Sequence, residues 1–272
     1  MRPLVTATAR AVHEVALQLP SGEGRRVVLR RFVPTAEAVL DPDMDAAREL
    51  AVLRLLEGID VHAPQVLAAD ATAAHADVPA IVQQRLPGSP PRGVPDLQSL
   101  LAALADVHAL APAARTAGIP GHRRWNDPAA THAPGWAGDP ALWRAAIDIA
   151  RAPAPASEPA FIHGDFHLGN TLWRRGRLTG IVHWTTGAIG PPAADLAQLR
   201  WNLAVAEGAE AAEFALPAAD AAGVVHDPYW DVANVVDLLP DIAPSRPPPP
   251  TALARLEAFL RSAVAAALGA KR

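Results

Sequence analysis

The chain has no cysteine, which excludes disulfides and thiolate-ligated metals. It has one lysine, Lys271. Any cation that grips a phosphate in the body of the protein is therefore an arginine, whose planar guanidinium pairs bidentately with phosphate or carboxylate. Basic residues are not in excess. The formal net charge is −4, which leaves no electrostatic footprint for nucleic acid. No uninterrupted apolar run approaches the roughly 20 residues of a membrane span. Arg10, His13 and Glu14 interrupt the N-terminal region before the apolar core of a signal peptide can form. These absences predict a soluble cytoplasmic protein that engages neither membrane nor nucleic acid.

With 272 residues the chain can build one large domain or two lobes with a sizeable core. Val12 to Leu19 and Arg26 to Phe32 read as strands joined by the turn Ser21-Gly22-Glu23-Gly24. Asp43 to Leu56 reads as a helix, with Ala46, Leu50 and Leu53 on one face and Gly58 beyond its end. Val66 to Asp70 and Pro79 to Gln84 are further strands, closed by Arg85-Leu86-Pro87-Gly88. The proline-rich stretch from Pro87 to Pro95 marks a boundary. Asp96 caps a helix to Leu110 with Leu97, Leu100, Leu101 and Leu104 on its apolar face. His108 shares that face and reads as a satisfied core residue. Ala141 to Arg151 and Ala193 to Val205 are predicted helices, Gly187 to Pro192 a loop, and residues 253–260 carry the apolar face of a last helix.

One stretch concentrates the chemistry: Phe161 to Trp184, FIHGDFHLGNTLWRRGRLTGIVHW. His163, Asp165, His167 and Asn170 crowd a short polar segment after two apolar residues. Thr171 to Arg174 and Arg177 to Val182 are strand-like and split by Arg175-Gly176, a two-residue hairpin signal. If Arg174 pairs with Arg177, Asn170 lies opposite Ile181, with His183 its diagonal neighbour about 7–8 Å away. A carboxylate, an amide and an imidazole then converge at one end of a hairpin.

His163-Gly-Asp165 and Asn170 fit the pattern H-x-D-x-x-x-x-N, in which the aspartate accepts a hydroxyl proton and the asparagine oxygen holds a Mg²⁺. Together with GIVHW (180–184) and GPPAADLA (190–197), the stretch resembles the aminoglycoside phosphotransferase-like small-molecule kinases. The resemblance spans most of the chain. It implies an α+β, bilobal protein-kinase-like fold: an antiparallel sheet with one helix over 1–86, and a mainly helical lobe over 87–272. It implies transfer of the γ-phosphate of ATP or GTP to a hydroxyl of a small molecule. It also assigns roles by position. Asp165 is the base, Asn170 and His183 are the metal ligands, and Arg30 stands in the lysine position of the strand Val27-Val28-Leu29-Arg30. Glu49 is the partner of Arg30. Gln83, Gln84, Arg85 and Leu86 form the hinge that meets the base of the nucleotide. Asp195 anchors the catalytic loop.

The sequence departs from the family in two places. His183 stands where the family carries a metal-binding aspartate; imidazole suits Zn, Cu or Ni better than Mg²⁺, and Mn²⁺ tolerates a nitrogen ligand better than Mg²⁺ does. The stretch TATARAVHEV (6–15) has no glycine where a phosphate-covering loop is expected. From Trp201 to Ser245 there are eight acidic residues and no Lys or Arg, which predicts an acidic wall for a cationic acceptor such as an aminoglycoside. Tyr229 and Trp230 are further candidates for lining its pocket. Two alternatives stay open: a kinase-like binding protein without phosphotransfer, and a metal-dependent hydrolase using His163, Asp165, His167 and His183.

Overall fold

The computed structural model describes residues 2–3, 11–18, 20–33, 46–239 and 248–270. Several sequence expectations lie outside these: residues 6–10 of the glycine-free stretch, the first turn of the helix expected from Asp43, Asp241 and Lys271. The described chain divides into two compact units. One comprises Met1–Pro90, Pro112–Ile119 and Asn170–Gly187; the other comprises Pro91–Ala111, Pro120–Gly169 and Ala188–Arg272.

The first unit is built on a five-stranded sheet. Its strands are β1 (Arg2–Pro3), β2 (Ala11–Gln18), β3 (Gly24–Arg31), β4 (Val66–Asp70) and β5 (Ala80–Gln84), in the order β1-β2-β3-β5-β4, and every neighbouring pair is antiparallel. Cross-strand partners share a face. The register Val12↔Arg30↔Ile81 therefore sets Arg30 among the residues on one side, with Glu14↔Val28↔Gln83 beside it. Helix α1 (Ala46–Leu55) packs on β4 and β5 through its buried face of Ala46, Glu49, Val52 and Leu53.

The hairpin of β7 (Thr171–Arg174) and β8 (Arg177–Ile181) belongs to this unit. Its turn places Arg175 and Gly176 at φ 52° and 75°, the paired positive values a type I′ turn needs. Arg174 pairs with Arg177 as expected, but the register then slips. Trp173 faces Leu178 while Leu172 faces Gly180, so Thr179 is an extra, bulged residue. This corrects the expected pairing: Thr171, not Asn170, stands opposite Ile181. Asn170 O instead accepts from Val182 N at 2.9 Å. The cause is a tether from outside the hairpin. The Thr179 hydroxyl lies 2.6 Å from Pro87 O and 3.0 Å from Leu172 O. Ser89 and Trp173 exchange two backbone hydrogen bonds. Gly88 (φ +107°) lets these chains touch, since a Cβ there would lie 2.7 Å from Trp173 O.

The second unit is helical. It contains α2 (Leu97–His108), α4 (Pro140–Arg151), α5 (Pro192–Glu207), α6 (Ala209–Ala222), α7 (Pro228–Asp237) and α8 (Pro250–Gly269); a short α3 (Ala111–Thr116) follows α2. Proline is abundant, and four of these helices begin on one, where its fixed φ suits the first turn and its missing N–H costs nothing. The core joins Trp143, Ile147, Ala197, Trp230, Val235, Val236, Phe259 and Leu260 from α4, α5, α7 and α8. Helix α5 is buried on most sides over its first turns, as a central helix is. The stretch expected as a loop after Gly187 contains a strand, β9 (Ala188–Gly190), antiparallel to β6 (Ala160–Ile162). Gly190 is needed there, because a Cβ would lie 2.5 Å from His122 Cβ.

Part of the acidic run is spent inside the helical unit. Asp231 is buried against Arg200 at 3.0 Å, and Arg200 also holds Glu213 at 3.0 Å. Asp237 is buried against Arg124 at 2.6 Å, and Asp227 caps α7 by accepting from Tyr229 N. Burial raises the carboxyl pKa of Asp237, and its hydrogen bonds from Arg124 oppose the shift. Tyr229 and Trp230 are buried core residues, not pocket walls.

Candidate active site

The Asp165 loop follows β6. Gly164 adopts φ 78°, which turns two successive amides the same way, and one buried carboxylate receives both. His163 N donates to Asp195 Oδ2 at 2.7 Å and Gly164 N to Oδ1 at 2.8 Å. His108 Nε2 lies 3.1 Å from the same Oδ2. Asp195 sits in the first turn of α5, so a fully buried carboxylate is matched by donors and fixes the loop backbone to the helix. His108 is thereby the satisfied core histidine the sequence suggested.

Asp165 N donates to His163 Nδ1 at 3.2 Å. A backbone amide can only donate, so this fixes the lone pair on Nδ1 and, in the neutral ring, the proton on Nε2. The same logic applies to His167, whose Nδ1 accepts from Gly169 N at 3.1 Å. The Asp165 side chain is 21% exposed, with His167 Nε2 3.7 Å from its Oδ1. Gln198 Nε2 donates to that oxygen at 3.1 Å. A short 3-10 turn, Leu168–Asn170, leads from this loop into β7.

In the first unit, Arg30 and Glu49 come together. Arg30 Nε lies 3.0 Å from Glu49 Oε1, with side chains 5% and 1% exposed. The N–H does not point along the line to the oxygen, so this contact is Coulombic in character, without an aligned hydrogen bond. Thr185 supplies the aligned bonds: its hydroxyl accepts from Arg30 Nη2 at 3.3 Å and donates to Glu49 Oε2 at 3.0 Å. Thr185 was not singled out from the sequence. It lies just past the motif His183-Trp184, and only the turn over Trp184–Thr186 against α1 carries it there.

The other expected residues lie as follows. Gln83 and Gln84 end β5, and Gln83 is buried on the Arg30 face. Arg85 pairs through Nε with Glu14, and its Nη1 donates to Leu86 O at 3.1 Å. Leu86 Cδ1 packs where a Cβ on Gly180 would be. His183 is buried and left-handed (φ 72°, ψ 54°), outside the β8 ladder. The pairing of Asn170 O with Val182 N nonetheless puts Asn170 and His183 at the same end of the hairpin.

The resemblance drawn from the sequence implies a divalent cation. Asn170 offers an amide oxygen, a hard donor that suits Mg²⁺; His183 offers an imidazole nitrogen, which suits Mn²⁺ better. Among the described residues no three His, Cys, Asp or Glu side chains are grouped as a metal site, and His163, Asp165, His167 and His183 of the hydrolase alternative are not gathered as one.

The fold places the chain in a class: a kinase-like α+β protein with an N-terminal antiparallel sheet and one helix, then a mainly helical part. Comparison gives the family. Residues 15–232 match the model of the phosphotransferase enzyme family, and the chain belongs to it. Solved structures with the same fold include the macrolide 2'-phosphotransferase MphH from Brachybacterium faecium, at 23% identity, TM-score 0.55, covering 98% of this chain and 94% of that one. A thermostable mutant of aminoglycoside phosphotransferase APH(4)-Ia, in ternary complex with AMP-PNP and hygromycin B, aligns at 18% identity and TM-score 0.62, covering 96% and 92%. A microcompartment-associated aminopropanol kinase aligns at 16% identity and TM-score 0.64, covering 97% and 90%. No curated protein sequence matched. Among the described residues no helix is long and apolar enough to cross a membrane.

Proposed function

We propose that the protein transfers the γ-phosphoryl group of a nucleoside triphosphate to a hydroxyl of a small molecule in the cytoplasm. The observation that carries this is the Asp165 carboxylate: partly exposed, and standing on a loop whose backbone Asp195 holds at two successive amides. An acceptor hydroxyl gives its proton to Asp165 as it attacks. Arg30, buried and held by Glu49 and Thr185, supplies the positive charge that attracts the phosphate oxygens. Gln83, Gln84, Arg85 and Leu86 meet the base. Asn170 and His183 hold the divalent cation, which neutralises charge on the transferring group when bound.

The imidazole of His183 in place of a carboxylate removes one negative charge from the cation's ligands. The reading is therefore an enzyme slow with Mg²⁺ and better served by Mn²⁺. The same donor set favours a second reading, a family member that binds nucleotide without transferring phosphate. The case for a cationic acceptor now rests on Glu207, Glu210 and Asp220, which stay exposed while their neighbours are consumed by Arg124, Arg200 and a helix cap.

The test is a thermal shift with ATP or GTP, each with Mg²⁺ or Mn²⁺, followed by phosphate transfer to a panel including hygromycin B, other aminoglycosides and a macrolide. A metal-dependent rise in melting temperature with transfer to one acceptor supports the first reading. A rise without transfer to any acceptor supports the second. No rise with either nucleotide would remove both.

A further inference from the structure

Asp195 and Gln198 lie three residues apart on α5 and so share a face. Asp195 holds the loop's backbone, while Gln198 reaches the next residue's side chain, donating from Nε2 to Asp165 Oδ1 at 3.1 Å. A carboxamide has two ends of nearly equal shape, one donating and one accepting. Pointed the wrong way, Gln198 would set an oxygen lone pair against the carboxylate. Trp201 decides the matter: its indole Nε1–H can only donate, and it lies 3.0 Å from Gln198 Oε1. With the oxygen claimed by Trp201, the NH₂ must face Asp165.

We propose that Gln198 is a positioning residue for Asp165, and that Trp201 fixes the direction of its amide. The pair favours the ionised carboxylate with a neutral donor. A salt bridge to lysine or arginine would hold Asp165 too firmly ionised to take a proton from a hydroxyl. Two imidazoles also flank the group: His167 Nε2 at 3.7 Å from Oδ1, and His163, whose Nδ1 takes the Asp165 backbone N–H. Neither lies on α5, so substitution at position 198 leaves both in place. The significance for turnover rests on the role of Asp165 proposed above; the hydrogen-bond relay itself does not.

The experiment is a carboxyl ¹³C NMR titration of the full chain without nucleotide, with the Asp165 signal assigned by its loss in Asp165→Asn. Gln198→Leu removes the donor at similar volume and should move the Asp165 midpoint up by about one pH unit. Gln198→Glu keeps the shape, replaces donor with acceptor, and should move it further; it serves if the leucine variant does not fold. Trp201→Phe keeps the ring's packing, frees the amide to turn, and should give a smaller upward shift. A merely structural role lowers the melting temperature of these variants and leaves the midpoint in place. A midpoint unchanged within about 0.2 units in both Gln198 variants overturns the proposal. A shift at Gln198 with none in Trp201→Phe overturns the part assigned to Trp201. The titration involves no phosphotransfer, so its failure is distinct from failure of the kinase reading, which Asp165→Asn tests through turnover.

Discussion

At the scale of single residues, buried charge is the costly ingredient, and in the first unit it is concentrated in Arg30 and Glu49. Both side chains are almost fully out of water, and they meet at 3.0 Å with the Thr185 hydroxyl bridging them. Removing one partner leaves the other buried and uncompensated. Glu49→Ala or Arg30→Ala should each lose about 3–5 kcal/mol in denaturant unfolding. The double variant Arg30→Met/Glu49→Leu replaces the pair with apolar volume and should recover most of that loss while abolishing function. A double variant as unstable as the worse single would show that the ion pair is not what the singles damage. The sequence carried this pairing only by analogy of position. Thr185, which completes it, has no signature in the letters: a threonine after an aromatic reads as anything.

At the scale of elements, most boundaries were legible because they are set locally. Asp96 caps α2 by accepting from Gln98 N and Ser99 N, and Asp139 caps α4 by accepting from Leu142 N. The Ser99 hydroxyl, then backbone amides, hold the Asp96 carboxyl below the usual carboxylate range. The Leu142 amide, then Arg261, do so for Asp139. A carboxylate with a depressed folded pKa stabilises fully above its unfolded value, and that contribution is lost as pH falls through the folded value. Asp237 has the opposite sign: burial raises its pKa, so its contribution is present at low pH and lost as pH rises. The caps should therefore steepen the loss of stability on acidification. Asparagine caps as well as aspartate but does not titrate. Asp96→Asn/Asp139→Asn should thus melt near the wild-type temperature at neutral pH and fall less steeply between about pH 5 and 3. An equally steep fall would place the acid sensitivity elsewhere. What local reasoning did not reach was the bulge at Thr179. The Arg175-Gly176 turn fixes one end of the hairpin, but the slip answers to Pro87 O, a group distant in sequence. The short β9 strand was missed for a related reason. Three residues carry no periodicity, and its partners are the distant β6 and the 120–122 segment.

At the scale of the whole molecule, the order of motifs made the family legible: the HGD loop, the hairpin with its HW, and the helix with Asp195 fall in a sequence that few unrelated folds would repeat. The acceptor was not legible. An acidic run reads as a wall until packing shows that Asp231 and Asp237 face arginines inside the helical unit. Likewise the grouping of 170–187 with the N-terminal sheet is a matter of contacts across the chain, which sequence order does not record. The substitution that bears on the proposed function as a whole is His183→Asp. A carboxylate at this position should raise Mg²⁺-supported transfer by about tenfold or more and narrow the proposed advantage of Mn²⁺. Fast turnover with Mg²⁺ in the wild type, slowed by this substitution, would mean that the imidazole is no handicap.

Asp165→Asn gives the most direct measurement of the central claim. The substitution keeps the shape and loop contacts of Asp165 but removes its capacity to take a proton. With an acceptor found by the panel, transfer of labelled γ-phosphate should fall by about 10²-fold or more, while the thermal shift on binding nucleotide and metal is retained. Transfer at near the wild-type rate in this variant would contradict the account.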